Sequence, residues 1–243
     1  SNIHNVRGGF NLRGNNIWRF TRRRSLNFNS STSWNLDGDK LRQNFNINGN
    51  TQLMNWWWTN IGYGRNFPVL DDLETRDNGL LRLPASNFFW WGIDSDFRKN
   101  ISGGLFVNVG DDRDGNFRSI QFNTRVRIQD NIEIRIQPRY NQSRGVSRWV
   151  ANVDDPANLS TQIPVFGELD TDRFSVVTRA NITFTKDLSL QFYNQLFFAS
   201  GNYKSFKALT SPETFGSVAS GLYTENPNFN SRSMNVNVLF RWE

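Results

Sequence analysis

The chain has 243 residues, with 28 Lys and Arg against 22 Asp and Glu for a net charge of +6, no cysteine and one histidine. Without cysteine there are no disulfides, thiolate ligands or cysteine nucleophiles, and the lone His4 removes most histidine-based metal and acid–base chemistry. No apolar run approaches the ~18 residues of a membrane helix, a test that strands with alternating faces escape.

In chain order, strands are expected over 5–14, 24–36, 40–53, 56–66, 85–98, 100–110, 116–129, 131–143, 173–185, 187–200 and 231–243. Each carries the period-two pattern of a strand with one apolar and one polar face. Leu26, Phe28, Ser30, Thr32 and Trp34 share one face, while Asn27, Asn29, Ser31 and Ser33 share the other. Asp37-Gly38-Asp39-Lys40 reads as a hairpin turn, with glycine where φ > 0 is tolerated. The pair 116–129 and 131–143 is the clearest. There Ile120, Phe122, Val126, Ile134 and Ile136 oppose Gln121, Asn123, Arg125, Arg127, Glu133, Arg135 and Arg139. No stretch has helical spacing, so the chain is expected to be all-β.

Strands of about 9–13 residues exceed the ~5–6 usual in soluble sheets and suit a tilted membrane strand. Short connections fall near 53–55, 98–100, 129–131 and 185–187, and long ones at 66–84, 144–172 and 201–230. That asymmetry is the pattern of periplasmic turns and extracellular loops. The expectation is an antiparallel up-and-down transmembrane β-barrel, one domain over 1–243, with about eleven strands visible. Bacterial barrels normally have even strand numbers, so the barrel is read as incomplete. Extra strands are expected before residue 1 and after 243, and segment 146–152 as a hairpin arm. Trp56, Trp57, Trp58 and Trp242 at one level, with Trp90 and Trp91 at the other, read as membrane-interface girdles. Pro138 cannot donate to a ladder, so a bulge is expected there.

The polar face collects Arg7, Arg13, Arg42, Arg125, Arg127, Arg135, Arg139, Arg179 and Arg241, against Asp94, Asp96 and Glu133 alone. This is read as a cationic, lumen-facing surface. No metal or cofactor is expected. The nearest approach to a cation site, Asp112, Asp114 and Asn116 beside Gly115, lacks the long loop and terminal Glu of an EF-hand. No nucleophile motif accompanies His4, and Arg22-Arg23-Arg24 stands without a wider basic stripe. Neither an enzyme nor a nucleic-acid partner is therefore expected.

Several words resemble one family. They include Asp72-Leu73-Glu74-Thr75-Arg76-Asp77-Asn78-Gly79 before Leu83-Pro84-Ala85-Ser86, Asp94-Ser95-Asp96-Phe97-Arg98-Lys99, and Val153-Asp154-Asp155-Pro156 with Phe166-Gly167-Glu168-Leu169-Asp170. Asp187-Leu188-Ser189-Leu190-Gln191-Phe192-Tyr193, Ala199-Ser200-Gly201-Asn202-Tyr203-Lys204, Asn226-Pro227-Asn228-Phe229-Asn230 and Leu239-Phe240-Arg241-Trp242-Glu243 complete the set. Over roughly 60–243 the chain resembles the C-terminal domain of unknown function of Bacteroidota-type outer-membrane proteins that carry an N-terminal family-9-like carbohydrate-binding domain. The resemblance implies a membrane barrel that continues past Arg241-Trp242-Glu243, and it supplies no catalytic residues.

The functional expectation is a non-enzymatic bacterial outer-membrane barrel acting as anchor, scaffold or pore, or as a subunit of a larger assembly. Its long acidic loops would be extracellular and its short turns periplasmic. The expected partners are outer-membrane lipid and lipopolysaccharide, other outer-membrane or periplasmic proteins, and glycans through an N-terminal domain outside this chain. Two alternatives stand beside it. One is a solute channel with an Arg-rich lumen; the other is a carbohydrate-binding β protein using Trp56–Trp58 and Trp90–Trp91 as stacking platforms.

Overall fold

The computed structural model describes residues 3–242. Among them are fourteen strands and no helix: β1 (His4–Gly14), β2 (Thr21–Trp34), β3 (Lys40–Leu53), β4 (Trp58–Asn66), β5 (Val69–Asp71), β6 (Leu81–Leu83), β7 (Ser86–Asp94), β8 (Ile101–Asp112), β9 (Gly115–Gln129), β10 (Ile132–Asp155), β11 (Asn158–Thr185), β12 (Leu188–Ser211), β13 (Thr214–Ser217) and β14 (Phe229–Trp242). Glu243, the last residue of the final expected strand and of the Arg-Trp-Glu word, lies outside the described residues.

Twelve strands form one antiparallel sheet in the order β1-β2-β3-β4-β7-β8-β9-β10-β11-β12. Beyond β12 lie β14, against its first half, and β13, against its last residues. Strands β5 and β6 make a separate two-stranded ribbon. The all-β antiparallel expectation stands; the barrel does not. No ladder among the described residues joins β14 to β1, and both strands are exposed nearly throughout. An open sheet leaves a row of unpaired backbone groups on each edge, which hydrocarbon does not tolerate. The transmembrane barrel, the porin-like channel, the outer-membrane location and the lipid and lipopolysaccharide partners are corrected on this ground. No helix in the described residues is long and apolar enough to cross a membrane.

Two of the expected long loops are also corrected. Residues 144–172 form the outer hairpin of β10 and β11, in which the expected arm 146–152 does lie, and the first part of 201–230 continues β12 into β13. Register shifts between Ser143 and Val146 and between Trp149 and Ala151 break the alternation there, so a period-two reading stops short. Gly145 supplies the left-handed residue of the first bulge, at φ 65°. At Pro138 the expected bulge is absent. Pro138 stays in register with Val176 of β11, while the ladder to β9 skips residues 137 and 138 without changing register. One missing donor costs a local bond and leaves the pairing frame intact.

The sheet has a polar and an apolar face, and burial follows the polar one. Ser33, Gln52, Ser86, Ser102, Ser119 and Thr171 are buried, and the registers put all of them on the same face. Phe10, Leu26, Ile47, Ile61, Phe89, Phe122 and Val238 lie on the other face and are exposed. A sheet curled around its polar side produces this inversion. Among the described residues, the buried hydrophobic cluster lies at the outer strand ends, where Leu81, Phe166 and Leu209 pack with Leu83, Trp149 and Phe215. This cap joins the outer ends of β10–β12 to β6, β13 and the loop 72–80.

Candidate functional site

Strand β7 carries four consecutive aromatics, and its register divides them. Phe89 and Trp91 face the apolar side, while Phe88 and Trp90 face the polar side opposite Gly64 and Gly62 of β4. A Cβ on Gly62 would stand 2.1 Å from the Trp90 ring, and one on Gly64 would stand 2.2 Å from Phe88. Both rings therefore lie on the bare backbone of β4, an approach only glycine permits. Their centroids are 5.6 Å apart and their planes within 19°, so they form one flat apolar platform. Phe106 of β8 adjoins it across Gly92.

Around the platform the face is lined with amides. Asn27 donates to Asn48 at 2.8 Å, Asn29 to Asn46 at 3.1 Å, Ser31 to Asn44 at 3.0 Å, Asn48 to Asn46 at 3.0 Å and Asn50 to Asn48 at 3.2 Å. Asn11 donates to Asn27 and extends the ladder to β1. A cross-strand amide ladder holds each side chain in one orientation; the Asn46 and Asn48 oxygens each accept twice and leave N–H donors for a ligand, while Asn27 and Asn50 keep a donor and an acceptor. Two grooves open onto it. One, of about 500 Å³, is bordered by Arg7, Asn29, Ser31, Arg42, Asn44 and Asn46; the other, of about 350 Å³, by Asn11, Arg13, Arg23, Asn27, Asn50 and Trp58.

The nine arginines singled out from sequence, Arg42, Arg125, Arg127, Arg135, Arg139, Arg179 and Arg241 together with Arg7 and Arg13, all fall on this polar face by register. Of the acids, Asp96 turns away to accept two bonds from Arg98 at 2.8 and 2.7 Å. That guanidinium holds the Asp96 carboxyl down at about 2. Asp94 stays on the face, where burial pushes its pKa up. Glu133 accepts from Arg135 at 2.6 Å.

The six tryptophans read from the sequence as interface girdles separate into different settings. Trp56 sits in a turn at φ 70°, with the guanidiniums of Arg22 and Arg98 each 3.6 Å from its ring centre. That ring is already occupied. Trp58 and Trp90 face the polar side, Trp91 the apolar side, and Trp57 and Trp242 are exposed at strand ends. Asp112 pairs with Arg148 at 3.0 Å and Asp114 with Lys207 at 3.0 Å, while Asn116 lies opposite Arg144 in the ladder. No group of three His, Cys, Asp or Glu suited to a metal occurs among the described residues.

Phe88, the asparagine ladder and the two clearing glycines are parts of the site that sequence reasoning passed over. Their signal was Gly62-Tyr63-Gly64, alternating glycine inside a strand, which marks a close approach to the backbone. No curated protein matches the chain. A family model matches residues 1–243, so it also takes in the first strands, which the resembling words did not reach. The chain belongs to the family described as Domain of unknown function (DUF5916).

Proposed function

We propose that the polar face of the sheet is a carbohydrate-binding surface that holds its ligand without chemical change. One observation carries this reading: Trp90 and Phe88 are laid flat on Gly62 and Gly64 in the middle of an amide-lined face. A sugar ring offers a face of C–H groups and a rim of hydroxyls. The platform suits the first, and the amides suit the second, Asn46 and Asn48 through their N–H donors and Asn27 and Asn50 through a donor and an acceptor each. Trp58, at the edge of the neighbouring groove, provides a second stacking position. Of the stacking residues expected from sequence, Trp58 and Trp90 serve this reading, Trp56 is taken up by its arginines, and Trp91 faces away.

Affinity electrophoresis of the full chain through gels containing soluble polysaccharides tests it. Retardation by at least one polymer is expected. Trp90→Ala should weaken binding roughly tenfold, about 1.4 kcal/mol, while Trp91→Ala leaves it unchanged. No retardation by any polymer, or equal loss from both variants, overturns the reading.

A further inference from the structure

Three arginines stand in one row across the middle of the sheet. Arg135 of β10 lies directly opposite Arg125 of β9 on one side and Arg179 of β11 on the other. Like charges directly opposite repel, and little in the chain offsets them. Glu133 is the carboxylate within reach: it accepts from Arg135 at 2.6 Å and stands 4.0 Å from Arg125 Nε, beyond hydrogen-bond distance. Arg127 lies directly opposite Glu133 in the ladder as well, so one acid faces arginines on both strands of the pair. Arg179 rests against the Tyr193 ring at 5.4 Å. Arg125 is the most exposed to cost, because its Nε and Nη2 are shielded from solvent with no hydrogen-bond acceptor. A shielded guanidinium without acceptors is expensive to keep. Beside it opens a groove of about 230 Å³ bordered by Arg125, Arg135, Asn123, Gln137, Ser102 and Asp94. That is below the ~300–1,000 Å³ of drug-sized pockets and suits one substituted ring of a longer chain.

We infer that Arg125 and Arg135 form a subsite for a carboxylate- or sulfate-bearing sugar, so that the ligand of the polar face is an acidic glycan. The inference rests on the glycan-binding reading and narrows it. An incoming carboxylate or sulfate brings the acceptors Arg125 lacks and screens it from Arg135 opposite, as a forked charge-assisted bond does. Asn123, Gln137 and Ser102 offer donors and acceptors to the hydroxyls of the same ring. Asp94 is the one carboxylate bordering the groove, and it opposes the anion.

The full chain is tested against polygalacturonate, alginate and a sulfated polysaccharide, each paired with its methyl-esterified or desulfated form, by affinity electrophoresis at fixed ionic strength. At least one acidic member should bind roughly tenfold or more tightly than its neutral partner. The double variant Arg125→Gln, Arg135→Gln should reduce it to the neutral level and leave neutral binding intact. Asp94→Asn, which leaves the arginine row in place, should increase the preference. Equal binding of acidic and neutral partners overturns this inference and keeps the glycan reading; no binding to any polymer overturns both. A preference that survives the double variant places the anion elsewhere and overturns the subsite, as does displacement of the polymer by equimolar inorganic sulfate.

Discussion

The cap and the broad sheet beneath it are built from the same strands, β10, β11 and β12, yet they hold together by different means. In the cap, Phe166 and Val165 are fully buried, Val146 and Leu81 nearly so, and the loop 72–80 is sewn down over them. Asn78 donates to the Gln162 carbonyl at 2.7 Å, Asn152 to the Thr75 carbonyl at 3.1 Å, and Arg113 to Glu74 at 2.8 Å. In the sheet many large apolar side chains are exposed, and apart from Ala199 the buried side chains are serines, threonine and glutamine. Its cohesion comes from backbone ladders and amide chains. The cap is thus a small conventional core, and the sheet is a framework that presents side chains. Deletions should therefore cost stability in the cap and binding in the sheet.

The largest expected effect is Phe166→Ala. The ring is 0% exposed and meets Phe215 edge-on at 5.4 Å, so truncation should cost about 3–5 kcal/mol. Denaturant unfolding measures it, and glycan affinity of the folded fraction should stay unchanged. A loss below about 1 kcal/mol would place the stability of the cap outside its core. Glu74→Gln comes next. Arg113 is 10% exposed and, although the glutamine oxygen can still accept from it, would lose its opposing charge and keep only neutral acceptors, the Ser147 carbonyl at 3.0 Å among them. Burial alone would push the Glu74 carboxyl up, yet Arg113 and the Trp149 amide hold it below its ordinary value. Losing a hydrogen-bonded charge of this kind should cost about 1–3 kcal/mol, read from the same unfolding curves.

Gly62→Ala makes the opposite case. In a packed core an added Cβ at 2.1 Å from a ring would cost about 1–3 kcal/mol in forced overpacking. Here Trp90 is only partly buried and has an open face to swing toward. Stability should change by less than about 1 kcal/mol while glycan affinity falls roughly as far as in Trp90→Ala. If stability falls by more than affinity, the platform is a structural packing unit, and the contrast between the two regions fails.

Alternation made the strands and their faces legible: Leu26, Phe28 and Thr32 against Asn27, Asn29 and Ser31 fall on the faces that their spacing requires. Closure was not legible, because side-chain period says nothing of whether the first strand meets the last. The cap was missed for a related reason. Gly145 and the bulges at Ser143/Val146 and Trp149/Ala151 shift the faces, so Trp149, Val165 and Phe166 fall out of phase with the strands they continue. At the site, the arginines were visible as a face and Trp58 and Trp90 as candidates. What Trp90 rests on is set by β4 and β7 lying edge to edge, a pairing between residues 28 positions apart, and no local pattern carries it.

The smallest expected effect lies at the junction of the two regions, where β9 begins and β10 runs on into the cap. There Asp172 accepts two bonds from Arg144 at 2.9 and 2.8 Å, one from Gln142 at 2.9 Å and one from the Tyr140 hydroxyl. Arg144 first, with Tyr140 and Gln142, holds its pKa at about 2, against an ordinary 3.8. The folded state therefore binds this proton less readily than the unfolded chain. The stabilisation is complete above about pH 4–5 and drains away as pH falls toward 2. At a side chain 38% exposed, solvent screening keeps it to about 1 kcal/mol or less. Urea midpoints between pH 6 and pH 2 should fall more steeply for the native chain than for Asp172→Asn, with the two curves converging at the acid end. Parallel curves would mean that the junction contributes nothing of its own, and that acid loosens the cap through Glu74, Asp114 and Asp170, whose pKa values are also held down by neighbouring bases.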